Sequence, residues 1–156
     1  MRFIAADDCA LFIWATWPNI QDVFKVVEAW GFTYRTLAWE WFKLNTSGIG
    51  WHVGMGYYTR ANPEPCLLAV KGQMPVVAKD EKNSIVTYED YGLGLPMISK
   101  VREHSRKPDE QYRKIESLYP GKRYLEMFAR RHRPGWDVFG NQVEGSIVLP
   151  ERNLVQ

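Results

Sequence analysis

The 156-residue chain is poor in cysteine and has no long hydrophobic run. Its two cysteines, Cys9 and Cys66, are too few for a disulfide framework and lie within apolar segments, which favours a reducing compartment. The three histidines are far apart, and no pair of them has the short spacing with cysteine or carboxylate that zinc needs, so no metal site is predicted. The apolar stretch over residues 9–17 has nine residues, about half of the roughly 20 that a transmembrane helix requires. The sequence therefore predicts no membrane segment.

Motifs for nucleotide binding and for a catalytic serine are also absent. No glycine-rich dinucleotide fingerprint or phosphate loop follows a predicted strand, which disfavours nucleoside triphosphates and nicotinamide cofactors. No serine lies in a nucleophile turn, so a hydrolase has no candidate nucleophile. The chain is instead rich in aromatic residues, with seven Trp, eight Tyr and seven Phe, and 46% of its residues are hydrophobic. This composition and length predict one folded domain over residues 1–156.

The apolar periodicity predicts alternating strands and helices. Asn19 is a favourable N-cap and Gly31 a C-terminal stop for a helix between two apolar strands. A loop rich in glycine, proline and aromatic residues follows over residues 43–65, and ordered loops of this length are commonly functional. The predicted elements are strands over residues 11–14, 32–42, 66–70, 123–128 and 146–149, helices over 20–30 and 108–118, and a short possible strand over 85–87 in an otherwise irregular stretch from 73 to 99.

This order of elements predicts an α/β fold with a mostly parallel sheet, in which ligands bind at the carboxyl ends of the strands. Lys107 stands immediately before the second predicted helix, where a cation opposes the positive end of the helix dipole. An anion beside Lys107, such as a carboxylate, would explain this placement. The equally weighted alternative is that Lys107 is a solvated lysine in a basic turn with Arg102 and Arg106.

Basic residues are concentrated in the C-terminal half of the chain. Residues 100–133 contain eleven Lys or Arg against five Asp or Glu, whereas the formal net charge of the whole chain is only +2. Together with the aromatic loop, this excess suits contact with the phosphates and bases of a nucleic acid. The alternative is that these charges are scattered over a solvated surface.

Four segments carry a family resemblance, namely KPDEQY at 107–112, YLEMFAR at 124–130, RPGWD at 133–137 and GNQ at 140–142. In this order they resemble the MT-A type of adenine-N6 methyltransferases, which is named after the 70-kDa subunit of the mRNA adenosine methyltransferase. The amino-acid sequences of these motifs resemble the bacterial and phage branch of the family, and the resemblance covers nearly the whole chain. It implies a Rossmann-like sheet, S-adenosylmethionine as methyl donor, and transfer to the N6 amine of adenine in DNA or RNA, with DNA favoured.

By position, the resemblance also implies roles for individual residues. Lys107 would pair with the methionine carboxylate of the cofactor. The other cofactor-binding residues are Arg130, His132, Asn141 and Gln142, and the residues that meet the target nucleic acid are Lys43, Arg60, Asn62 and Glu64. The implied location is the cytoplasm of a bacterial or phage-infected cell.

One family motif is missing from this chain. Family members share an Asp-Pro-Pro-aromatic tetrapeptide, which accepts the hydrogens of the adenine amine and stacks on the base. The nearest sequences, TWP at 16–18 and NPEP at 62–65, lack adjacent prolines followed by an aromatic residue. No catalytic residue is therefore assigned, and we expect an N-terminally truncated, partial methyltransferase domain that is inactive alone. The alternatives are a non-catalytic subunit that binds nucleic acid or an active partner in a homo- or heterodimer, and an unrelated RNA-binding module.

Overall fold

The computed structural model describes residues 4–56, 58–76, 96–103 and 106–149. The chain forms two compact units, Met1–Leu118 and Tyr119–Gln156. That residues 1–156 act as one domain stays a prediction.

The first unit contains four strands, β1 (Cys9–Trp14), β2 (Thr33–Leu44), β3 (Glu64–Lys71) and β4 (Pro96–Lys100). They form one sheet in the order β1-β3-β2-β4. β3 is antiparallel to both β1 and β2, and β4 is parallel to β2. The α/β class is confirmed. The mostly parallel arrangement is wrong for this sheet, because β3 enters in the opposite direction between the two strands that flank the first helix.

Two α-helices, α1 (Ile20–Ala29) and α2 (Glu110–Leu118), cover opposite faces of this sheet. Side chains alternate along β1, so that Leu11 and Ile13 pack against the buried cluster of Val27 in α1. Phe12 and Trp14 point the other way, into the cluster that contains Ile115 and Leu118 of α2. Both predicted helices are therefore confirmed, although α2 begins two residues later than predicted.

Of the two residues predicted to bound α1, Gly31 ends the helix as expected, whereas the Asn19 side chain does not cap its start. Trp17–Asn19 form a 3-10 turn before the helix, and Asn19 occupies the N-cap position. The Asn19 side chain donates to Thr16 Oγ1 at 3.1 Å instead of capping the helix. Gly31 follows the helix with φ 84°, a left-handed conformation that favours glycine, and its N–H donates to Glu28 O at 2.8 Å.

The second unit contains a parallel pair of strands, β5 (Tyr124–Met127) and β6 (Trp136–Phe139). β5 confirms the strand predicted over residues 123–128, whereas the strand predicted over 146–149 is wrong. Ser146 is bonded to β6 without forming a strand. Its N–H donates to Val138 O at 2.9 Å, its Oγ accepts from the Val138 N–H at 2.7 Å, and its hydroxyl donates to Asp137 Oδ1 at 3.3 Å. Because the side chain takes the place of a second backbone partner, no strand ladder continues from this residue.

Two short strands, β4 and β6, are not predicted by the sequence. The possible strand over residues 85–87 lies outside the described residues. In the described ranges, no helix is both long and apolar enough to cross a membrane.

Candidate functional site

One edge of the first sheet collects charged and aromatic side chains. β1, β2 and β4 end at this edge and β3 begins there, since the register pairs Trp14 with Cys66 and Trp41 with Glu64. In α/β proteins, ligands bind at the edge formed by the carboxyl ends of the strands. This edge is therefore the candidate site of the first unit.

Glu64 lies between two lysines at this edge. Its Oε1 accepts a hydrogen bond from Lys43 Nζ at 2.6 Å, and its Oε2 accepts one from Lys107 Nζ. The side chains are largely buried, with 14% of Glu64, 16% of Lys43 and 25% of Lys107 exposed. These three residues form what we call the Glu64 cluster.

Two tryptophans line the Glu64 cluster. Lys107 Nζ lies 5.7 Å from the ring centroid of Trp14 and 6.0 Å from that of Trp41. Lys43 Nζ lies 5.2 Å from the ring centroid of Trp41. Trp14 is itself held by α2, because its Nε1 donates to Gln111 Oε1 at 2.6 Å. Contact with the ring faces stabilises ammonium groups that have lost part of their water.

The electrostatics of the Glu64 cluster favour an ionised carboxylate. Burial raises the pKa of Glu64, but hydrogen bonds from Lys107 and Lys43 and the charges of both lysines outweigh burial and hold the pKa below its ordinary value. Glu64 is therefore ionised at neutral pH. The cluster sets two ammonium groups against one carboxylate, and the remaining positive charge attracts a further anion.

Neighbouring ion pairs fix the backbone of Lys107. Arg102 donates to Lys107 O at 2.9 Å and to Asp109 Oδ2 at 2.6 Å, and Arg106 donates to the same carboxylate at 3.1 Å. The alternative of a solvated lysine in a basic turn is therefore wrong, because Lys107 and both arginines are paired with carboxylates. An anion does lie beside Lys107, and it belongs to Glu64 of the chain itself.

The structure brings together three of the four residues that the resemblance assigns to the nucleic acid. Asn62 Oδ1 accepts from the Lys43 N–H at 3.0 Å, and Asn62 Nδ2 donates to Lys43 O at 2.9 Å and to His52 O. Asn62 thus holds the loop against the end of β2, two residues before Glu64. Arg60 is exposed on the same loop and makes no ion pair with any residue in the described ranges.

The second unit places its four predicted cofactor residues after two parallel strands. β5 and β6 are aligned, so their carboxyl ends lie at the same edge. Just beyond them, Ala129 N–H donates to Phe139 O at 3.0 Å, and a Cβ on Gly140 would lie 2.1 Å from Ala129 O. This close backbone contact, which requires glycine, brings Arg130 and Asn141 to neighbouring positions. All four predicted residues are exposed, namely Arg130, His132, Asn141 and Gln142.

Comparison with known proteins shows the family of the chain. The MT-A70 family profile matches residues 1–142. The chain belongs to the MT-A70 family. It is 29% identical over 155 residues to the type II methyltransferase M.MunI of a Mycoplasma species, covering 97% of this chain and 58% of that protein.

Eukaryotic members of the MT-A70 family match the same part of the chain. The catalytic subunit METTL3 of the N(6)-adenosine-methyltransferase of Homo sapiens is 31% identical over 152 residues, which is 94% of this chain and 24% of that protein. The probable N(6)-adenosine-methyltransferase MT-A70-like protein of Oryza sativa subsp. japonica is 31% identical over 147 residues, or 92% and 19%. The chain thus spans less than two thirds of each of these relatives. The resemblance is confirmed, and MT-A70 is a family of S-adenosylmethionine-dependent methyltransferases.

Three side chains in or near the candidate sites of this MT-A70 chain are not predicted to be functional by the sequence. Trp14 is indistinguishable from a core residue of its strand, and Gln111 has no pattern that marks it as the partner of Trp14. Phe128 directly follows β5, is 72% exposed and has φ 61°, a left-handed conformation that is uncommon outside glycine. Trp14 and Gln111 meet only through the packing of α2 on the sheet, a contact between residues 97 positions apart. In the described ranges, no group of three His, Cys, Asp or Glu side chains could hold a metal ion.

Proposed function

We propose that this chain carries the S-adenosylmethionine-binding part of an enzyme that methylates the N6 amine of adenine in nucleic acid, DNA rather than RNA. The observation that supports this most is Lys107, whose ammonium group binds a carboxylate at the carboxyl edge of the sheet in an MT-A70 chain. The methionine part of the cofactor also ends in a carboxylate. Lys107 would donate to it as it donates to Glu64, so the residue present fits the group.

The second unit supplies polar groups that suit the ribose and adenine parts of the cofactor. Asn141 and Gln142 each carry an amide with two donors and one acceptor, and Arg130 and His132 add further donors. All four side chains are exposed. Bound S-adenosylmethionine supplies an electrophilic methyl group on its sulfonium sulfur.

For the nucleic acid, we propose contacts along the loop of residues 45–63 and the adjoining sheet edge. Arg60 is exposed there, and Lys43, Asn62 and Glu64 lie where this loop meets β2 and β3. Cations at such an edge suit phosphate oxygens. DNA is favoured because the motif wording resembles the bacterial branch and a bacterial type II methyltransferase is among the relatives.

We expect no methyl transfer by this chain alone. The exocyclic amine of adenine is a poor nucleophile because its lone pair is delocalised into the ring, so hydrogen-bond acceptors must orient it. The Asp-Pro-Pro-aromatic segment that does this in the family does not occur in the sequence. This chain would therefore bind the cofactor, and catalysis would require an assembly that includes such a segment.

A second candidate function is that of a non-catalytic subunit that docks on an active partner. It is favoured by the exposed apolar side chains of one loop, since exposed apolar residues are common at interaction sites. Ile49, Val53, Met55 and Tyr58 are 80%, 60%, 91% and 102% exposed. A pure docking subunit would not bind S-adenosylmethionine, so the same experiment separates the two candidates.

Calorimetric titration with S-adenosylmethionine tests the proposal. The parent chain should bind, and Lys107→Ala should weaken binding about ten-fold or more, because a hydrogen bond to a charged group contributes about 1.5–3 kcal/mol. Lys122→Ala, which removes an exposed lysine of the second unit, is the matched control and should bind as the parent does. No binding by the parent at any attainable concentration would refute cofactor binding and leave the docking subunit.

Methylation assays on adenine-containing DNA and RNA test the remaining part of the proposal. We expect no turnover by the chain alone. Robust turnover would contradict the argument that the missing tetrapeptide is essential, and a preference for RNA in any active assembly would contradict the assignment to DNA.

A further inference from the structure

Glu64 is shared by two ammonium groups, and the Lys107 side chain is the more exposed of the two, at 25% against 16% for Lys43. Lys43 lies within β2, and Asn62 binds both its backbone N–H and its backbone carbonyl, at 3.0 and 2.9 Å. Its Nζ rests 5.2 Å from the Trp41 ring centroid while donating to Glu64 Oε1 at 2.6 Å. Lys107 lies in the segment that precedes α2, where Arg102 donates to its backbone carbonyl at 2.9 Å, and its Nζ donates to Glu64 Oε2 beside the rings of Trp14 and Trp41.

Binding of a cofactor carboxylate by Lys107 draws its ammonium away from Glu64 in part or in full. Only 14% of the Glu64 side chain is exposed. A buried carboxylate left without a counter-charge is strongly destabilised. The ligand also brings a second carboxylate close to Glu64. Both effects oppose binding unless another cation stays on Glu64, and Lys43 is the cation already in contact with it.

We propose that Lys43 is a positioning residue for cofactor binding: it keeps Glu64 neutralised, and so makes Lys107 available to the carboxylate of S-adenosylmethionine. This inference rests on the proposed function, because it concerns the same carboxylate site at Lys107. It gives Lys43 a role that acts through Glu64 on Lys107, in addition to the proposed contact with the nucleic acid.

The test is a double-mutant cycle in which calorimetry measures the Kd for S-adenosylmethionine. Lys43→Met keeps the length and apolar stem of the side chain but removes the charge, so Lys107 becomes the sole counter-cation of Glu64. We expect binding to weaken about ten-fold or more. Glu64→Gln should bind at least as tightly as the parent, and the double variant K43M/E64Q should bind within about three-fold of E64Q, because no carboxylate then retains Lys107. Lys43→Arg, which keeps the charge, should bind nearly as the parent does.

Each outcome decides between these roles. K43M binding as tightly as the parent, or a double variant as weak as K43M, would overturn the inference and leave the proposed function intact. A purely structural role of Lys43 would lower the thermal stability of K43M without any rescue of the Kd by E64Q. If K43M does not fold, Lys43→Gln takes its place in the cycle, with the same expected results. Weaker binding by E64Q than by the parent would also overturn the inference, because it is incompatible with competition between Glu64 and the ligand for Lys107. No binding by the parent chain would overturn the proposed function and this inference together.

Discussion

Replacement of Glu64 by glutamine should destabilise the chain in a pH-dependent manner. The substitution keeps the shape of the side chain, but the amide has one acceptor oxygen where the carboxylate accepts twice, from Lys43 at 2.6 Å and from Lys107, so one bond weakens and the other is replaced by an NH2 group facing an ammonium donor. It also leaves these two cations together without a counter-charge. Removing one partner of a fully buried ion pair costs about 3–5 kcal/mol, and since 14–25% of these side chains is exposed, we expect about 2–3 kcal/mol at neutral pH. For a chain of this size that corresponds to a decrease in Tm of roughly 5–10 °C.

The pH dependence follows from the direction of the pKa shift. The pKa of Glu64 in the folded chain lies below its ordinary value of 4.5, because the two lysines outweigh the effect of burial. The carboxylate therefore stabilises the folded state fully above the unfolded pKa, and this stabilisation is lost as the pH falls through the folded pKa. The difference in free energy of unfolding between the parent and Glu64→Gln should be constant from about pH 8 to about pH 5 and should shrink below that.

Urea denaturation followed by tryptophan fluorescence measures this difference at each pH. Glu103→Gln is the matched control, because Glu103 also pairs with a cation, Arg106 at 2.9 Å, but 68% of its side chain is exposed. It should change stability little at any pH. A Glu64→Gln variant as stable as the parent, or a difference that stays the same down to the most acidic pH, would refute the description of Glu64 as a largely buried, doubly paired carboxylate.

Two further predictions concern close packing and thiol reactivity. Gly140→Ala should destabilise the second unit by about 3 kcal/mol or more and weaken binding of S-adenosylmethionine, because its Cβ would lie 2.1 Å from Ala129 O. Gly121→Ala is the control, because Gly121 has φ 69° and no atom lies within 4 Å of the new Cβ. It should lower the free energy of unfolding in urea by only about 1–2 kcal/mol and leave binding unchanged. Equal effects of the two variants would contradict the steric argument. Burial raises the pKa of the fully buried Cys66 thiol well above its ordinary value. A thiol reagent should therefore modify half-buried Cys9 in the native chain and Cys66 only after unfolding. Equal rates of modification of the two thiols in the native chain would contradict this placement.

Local patterns were sufficient for elements that carry their own start and stop signals. The first helix was predicted from its apolar spacing and from Gly31, and the strand at residues 9–14 from its apolar run. The sequence does not predict β4 and β6, because what defines them is parallel pairing, of β4 with β2 and of β6 with β5. Ser146 was misassigned for a related reason, since an apolar run after it looks like a strand but its own side chain ends the pairing with β6.

The sequence also predicts which residues belong to the candidate site, but not the contacts between them. Lys107 was expected beside an anion and Glu64 was assigned separately to the nucleic acid, yet the two residues, 43 positions apart, bind each other. No local pattern contains that contact. The same holds for Trp14 and Trp41, which look like core residues and become part of the site only because β1 and β2 end at the same edge.

The wrong prediction about strand direction and the missed contact of Glu64 have one cause. Glu64 is the first residue of β3, so in an all-parallel sheet it would lie at the amino edge, opposite the ligand-binding ends of β1 and β2. Because β3 runs antiparallel between them, its beginning lies beside Trp14 and Trp41 instead. The reversal of a single strand thus places a carboxylate among the cations of the site, where it pairs with Lys107. It also makes Lys43, the cation at the end of the neighbouring strand, the residue that decides how readily Lys107 is released.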